Sequence, residues 1–166
     1  MTRSRGLGDV YKRQSWMFWK GRSGEPYWNM PYSFRGHIVV LVNENTYSDG
    51  EALAEGFKQL GLGTTIGMRT WGGQIWLNSS NRQSDGGLAR APMIGVYGNN
   101  GDWLIEGRGY EPDIVLDNLP HETYNGKDAQ LEAAIDLLKK KILEDPRDVP
   151  KVPAYPDKSF KNNRKE

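Results

Sequence analysis

The stretch His37-Ile-Val-Val-Leu-Val-Asn-Glu-Asn-Thr-Tyr-Ser-Asp-Gly-Glu51 decides the fold. Its first half is a continuous apolar, β-branched run. That pattern predicts a strand covered on both faces, since a half-exposed strand would alternate. After the polar connection Asn43–Tyr47, a helix is expected from Ser48. Leu53, Phe57 and Leu60 share one helical face, and Gly61 and Gly63 close the helix. Thr64–Met68 reads as a second short strand, and Gly72-Gly73 breaks the chain. A strand, a helix and a strand, followed by short strands and a final helix, describe an α/β layer fold.

Outward from this unit the signals weaken. Residues 78–91 read as a polar Asn/Ser/Gly loop, and Met93–Tyr97 and Trp103–Ile105 as further strands. Asp128 is a good cap for a last helix whose face is Leu131, Ala134, Ile135, Leu138 and Ile142. Residues 15–35 are aromatic and irregular, with Trp16, Phe18, Trp19, Tyr27, Trp28, Tyr32 and Phe34 fitting no period. From Asp145 the chain is rich in Pro and Lys and is expected to be extended or disordered. Ser4–Gln14 resembles the conceptual translation of a sequencing adapter, its last six residues matching a transposase end sequence. The expected organisation is therefore an adapter artefact at 1–14, an aromatic segment at 15–35, a catalytic domain at 36–145 and a tail at 146–166. On this reading the 166 residues are an N-terminally cut piece of a longer protein.

Composition narrows the functional classes. Lys and Arg total 22 and Asp and Glu 21, a net charge of +1 that argues against a nucleic-acid binder. The longest apolar run, Ile38–Val42, is strand-sized, so no membrane partner is expected. With no Cys there is neither a disulfide framework nor a thiolate nucleophile or metal site. Neither a cofactor nor a metal is called for. A hydrophobic fraction of 37% with 20 Gly suits a loop-rich α/β domain.

The junction at Ser48 is the place for chemistry. A serine at a helix start lies beside unpaired backbone N–H groups and the positive end of the helix dipole. Those groups can hold an oxyanion formed when the serine attacks a carbonyl. The local pattern leaves a second meaning open. Ser48-Asp-Gly-Glu51 also fits a capping box, a serine with a glutamate three residues on.

Val39-Val-Leu-Val-Asn-Glu-Asn-Thr-Tyr-Ser-Asp-Gly-Glu51 resembles the nucleophile segment of the tail-specific serine proteases, in particular their tricorn-type branch. The similarity continues through Gly61-Leu-Gly-Thr-Thr-Ile-Gly-Met-Arg-Thr-Trp-Gly-Gly73 and resumes at Gly101-Asp-Trp-Leu-Ile-Glu-Gly-Arg-Gly-Tyr-Glu-Pro-Asp-Ile114. It ends with Gly126-Lys-Asp-Ala-Gln-Leu-Glu132 and Tyr155-Pro-Asp157. The resemblance implies an incomplete Clp/crotonase-like α/β fold with a Pro/Lys-rich C-terminal tail. It implies that Ser48 is the nucleophile, that the Asp49 N–H is one oxyanion donor, and that Glu106 orients a histidine base through a second serine. In the Ser-Lys branch a lysine follows a Thr-Phe-Gly turn, whereas here Thr70-Trp-Gly is followed by Gly73, which excludes that dyad.

The base has no counterpart in the chain. Only His37 and His121 are present, and neither matches the family's catalytic histidine. The resemblance places that histidine, its serine and a Gly-rich second oxyanion segment before the nucleophile. It further implies a peptide or unfolded-protein substrate, a homo-oligomer for the full-length protein and a cytoplasmic location, with export left open. Two other readings compete: a non-catalytic peptide-binding module of the same fold, with Ser48 as a cap, and an acyl-CoA enzyme of the related crotonase fold. The latter leaves the run from Glu44 to Glu51 unexplained.

Overall fold

A computed structural model describes residues 17–28 and 34–156, with the backbone alone of 78–80. The expected adapter segment, Trp16 and Tyr32 of the aromatic stretch, and tail residues 157–166 lie outside the described residues. The chain divides into two compact units, His37–Glu144, and Met1–Gly36 together with Asp145–Glu166.

The larger unit is built on a three-stranded parallel sheet. Strand β3 (Val39–Val42) pairs with β4 (Thr64–Gly67), which pairs with β7 (Ile114–Val115). Helix α1 (Asp49–Gln59) makes the crossover between β3 and β4 and packs on β4. Helix α3 (Ala129–Glu144) packs on β3 and β4. The layered α/β arrangement expected from the sequence is the one observed. Gly67 shows why β4 ends in glycine. At φ +139° it lies so close to β3 that a Cβ would sit 1.8 Å from the Val42 carbonyl oxygen.

Several local expectations need correction. The 78–91 region is not a loop. Strands β5 (Trp76–Arg82) and β6 (Leu88–Ile94) form an antiparallel hairpin, so of the strand expected at Met93–Tyr97 only Met93 and Ile94 are strand, as the end of β6. Trp103–Ile105 is no strand either, and contributes only a bridge between Trp103 and Tyr97. The face of α1 differs as well: Leu53 is 61% exposed, while Glu51 and Ala54 are completely buried. Strand β3 is not fully covered, because Leu41 is exposed while Val42 is buried. Asp128 does cap α3, accepting the Leu131 N–H at 2.9 Å. The turn at His121 contains a short helix, α2 (Pro120–Tyr124), that no sequence signal announced.

In the smaller unit, β1 (Phe18–Trp19) and β2 (Tyr27–Trp28) pair antiparallel. The Arg35 guanidinium lies over the Phe18 and Trp28 rings at 5.2 and 5.3 Å, a cation–π clamp that gives the aromatic residues a local purpose. Arg35 also donates to the Asp148 carbonyl at 3.0 Å. Residues 145–156 hold no helix or strand.

Candidate active site

The polar run after β3 folds on itself before α1 begins. The Thr46 N–H donates to the Asn43 carbonyl at 2.9 Å, and the Gly50 N–H to the Tyr47 carbonyl at 3.1 Å. Ser48 is therefore the first central residue of a tight turn. Its φ of +54° and ψ of −119° match a type II′ corner, a place ordinarily filled by glycine. A strained strand-to-helix turn lifts a serine side chain clear of the helix that follows. The Ser48 hydroxyl faces the Glu51 amide in capping-box fashion, yet that amide's 2.9 Å bond goes to the Ser48 carbonyl. The Asp49 N–H, the first of α1, makes no hydrogen bond among the described residues. An unpaired N–H beside an accessible serine is what an oxyanion donor requires.

Glu51 is the hub of this region. Its Oε2 accepts the Ser48 N–H at 3.1 Å and the Gly73 N–H at 2.9 Å. Its Oε1 accepts the Thr70 hydroxyl at 2.5 Å and the Gly72 N–H at 2.7 Å. Burial alone would raise this carboxyl, but the four donors outweigh it and hold Glu51 below the ordinary glutamate range. The local capping signal shows only the Ser48 partner. The other three donors arrive from about twenty residues away.

Glu106 lies exposed in the loop before Tyr110. Its Oε2 accepts the Gln74 N–H at 2.6 Å and the Ile75 N–H at 2.9 Å. Among the described residues both hydrogen bonds of its carboxylate fall on that one oxygen, and none joins it to Ser48. Arg108, its charged neighbour in sequence, turns to the Trp103 carbonyl instead. The residue before Glu106 is unusual: Ile105 has φ +65°, a β-branched outlier, and the Glu106 N–H donates across it to the Leu104 carbonyl at 2.6 Å. That i to i+2 bond with positive φ describes a strained γ-turn. Ser48 and Ile105 are the two non-glycine residues with positive φ among those described.

The loop carrying Glu106 is tied to β4 beyond Tyr110. The Thr65 hydroxyl is 2.7 Å from the buried Tyr110 hydroxyl, donates to Asp113 at 2.9 Å and accepts the Asp113 N–H at 2.9 Å. Lys58, near the end of α1, bonds the Glu111 carbonyl at 3.2 Å and pairs with Asp113 at 3.4 Å. His37 precedes β3 and Ser48 follows it, so strand length separates them. His121 sits on α2.

A cavity of about 150 Å³ opens one helical turn after Ser48. Ala52, Gly56, Gln74, Val96, Leu104 and Ile105 are among its lining residues. Gln74 is buried, and its Oε1 has no partner among the described residues. Among those residues no group of three or more His, Asp or Glu is placed to hold a metal. Among the described residues no helix is long and apolar enough to cross a membrane.

Comparison with known proteins gives one answer. Residues 8–116 match the family described as Peptidase family S41. The tricorn protease of Thermoplasma acidophilum is 34% identical over 122 residues, covering 74% of this chain and 11% of the relative. Tricorn protease homolog 1 of Streptomyces coelicolor is 35% identical over 116 residues, 70% of this chain and 11% of that protein. The crystal structure of the tricorn protease superposes with a TM-score of 0.74 at 32% identity, covering 81% of this chain and 13% of its own. The chain thus spans about an eighth or less of the relatives it matches.

Proposed function

The chain belongs to peptidase family S41, a family of serine proteases, and from that premise we propose that it carries the nucleophile of a serine endopeptidase. Ser48 Oγ attacks the peptide carbonyl carbon, and its proton passes to a histidine contributed by polypeptide outside these 166 residues. The Asp49 N–H donates to the oxyanion. Glu106, held on Oε2 and open on Oε1, orients that histidine through a second serine. The substrate is a peptide or unfolded protein, and the cavity beside α1 takes one of its side chains. A cavity of about this volume accepts a benzene-sized group. The full-length enzyme acts as a homo-oligomer.

The observation that carries this reading is the Ser48 turn: a positive-φ serine at a helix start, next to an N–H that no other described residue uses. The test is peptide turnover by the full-length protein, by its Ser48→Ala variant and by the 166-residue chain alone. The full-length protein is expected to cleave and the other two to show no turnover above background. The chain alone lacks its base, which contributes about 10²–10⁴ in rate. Full turnover by Ser48→Ala would move the nucleophile elsewhere. A full-length protein that binds peptides without cleaving them would establish the non-catalytic module instead.

A further inference from the structure

Four successive backbone amides, those of Gly72, Gly73, Gln74 and Ile75, end on two carboxylates. Glu51 takes the first two and Glu106 the second two. Gly72 is also held from the other side, since the Gly107 N–H donates to its carbonyl at 2.9 Å. Its φ of +96° and the approach of the Gly109 amide nitrogen, 2.9 Å from where a Cβ would lie, admit only glycine there. One short segment therefore bridges the serine turn and the Glu106 loop.

The two carboxylates are not equivalent. Glu51 is completely buried in the first turn of α1 and uses both oxygens, each accepting two donors. Glu106 is exposed and closes a strained γ-turn, and its carboxylate has as its only partners among the described residues the two amides that Glu51's segment presents. Position is thus handed from α1 to Glu106. We propose that Glu51 is a positioning residue that sets Glu106 in register with Ser48, acting through the Gly72–Ile75 segment. This rests on the reading of Ser48 as nucleophile. The same carboxylate that receives the nucleophile's own N–H receives the segment that aims Glu106, so a shift at either end is felt at the other. A solely local cap would need the Ser48 contact and none of the remaining three.

Glu51→Gln tests the idea with little change of shape. One carboxylate oxygen becomes an NH2 donor, and in either orientation it faces a backbone amide, Gly73 on one side or Gly72 on the other. The first readout is amide hydrogen exchange of the 166-residue chain. In Glu51→Gln, exchange is expected to quicken about tenfold at Gln74 and Ile75 as well as at Gly72 and Gly73, although Glu51 does not touch the second pair. Glu106→Gln reads the coupling from the other end, with Gly72 and Gly73 quickened, and its exposed site keeps it folded should Glu51→Gln fail to fold. The second readout is the full-length protein, where Glu51→Gln is expected to lower kcat by about tenfold to a hundredfold with KM unchanged. Exchange confined to the amides that the mutated carboxylate itself holds would overturn the coupling. Coupling seen in exchange, with kcat unchanged, would overturn the positioning role. Loss of the nucleophile assignment would show separately, as turnover surviving in Ser48→Ala.

Discussion

Ser48 separates the effect of its backbone from that of its side chain, and two substitutions read them apart. At φ +54° an L-residue carries strain of about 1–3 kcal/mol, which glycine does not. Taking the strain as about 1.5 kcal/mol, Ser48→Gly recovers that much. Against it stand about 0.7 kcal/mol of added freedom in the unfolded chain and a few tenths for the weaker cap. The sum leaves Ser48→Gly about 0.5 kcal/mol more stable than the parent. Ser48→Ala keeps the Cβ, and with it the strain, and loses the cap at a cost of about 1 kcal/mol. The two variants therefore differ by about 1.5 kcal/mol, with the parent between them. Urea titration of the chain, followed by far-UV circular dichroism, measures this directly. At a slope of about 1–3 kcal/mol per molar urea, the midpoints separate by about 0.5–1.5 M. A Ser48→Gly midpoint equal to or below that of Ser48→Ala would refute the argument. It would mean that the turn is unstrained and that the serine stabilises the helix start in full. Neither variant turns over peptide if Ser48 is the nucleophile, so glycine would give a more stable and inactive protein.

Two further outcomes follow, one from the carboxylates of Glu51 and Asp113 and one from the buried Gln74. Glu51 and Asp113 are both held below their ordinary range, Glu51 by its four donors and Asp113 by the Thr65 amide and hydroxyl and by Lys58, each against the opposing effect of burial. Their contribution is present above the unfolded values of about 4 and is lost as pH falls through the lower folded ones. The urea midpoint is expected to fall as pH drops below about 5, and Glu51→Gln to flatten that fall; an unchanged slope in Glu51→Gln would remove Glu51 from the account. Gln74 has a buried Oε1 without a partner, so Gln74→Met, which keeps its size, is expected to stabilise by about 1 kcal/mol, or to raise Tm by about 3 °C. A lower Tm would show that Oε1 is paired after all.

What was legible in the sequence depends on which atoms carry the interaction. The β3–α1–β4 unit is readable because Ile38–Val42 and the glycines after Leu60 are local signals. The β5–β6 hairpin is not: every described residue of β6 is exposed, so neither face imposes the alternation by which a strand is recognised. The face of α1 misleads for a related reason. Apolar periodicity favours Leu53, yet the helix buries Glu51, whose burial is possible only because Thr70, Gly72 and Gly73 bring donors to it from beyond the next strand. Ser48 and Glu106 stand out by resemblance because their side chains are distinctive. The segment that connects them works through backbone N–H groups, which every residue but proline possesses, so it leaves almost no mark in composition. The mark it does leave is Gly72-Gly73, where the chain must pass close to Glu51 and Gly109 without a Cβ at Gly72. In this chain, then, a paired glycine read at first as a break is the join between the two halves of the candidate site. A buried glutamate that looked like half of a helix cap is what holds the join in place.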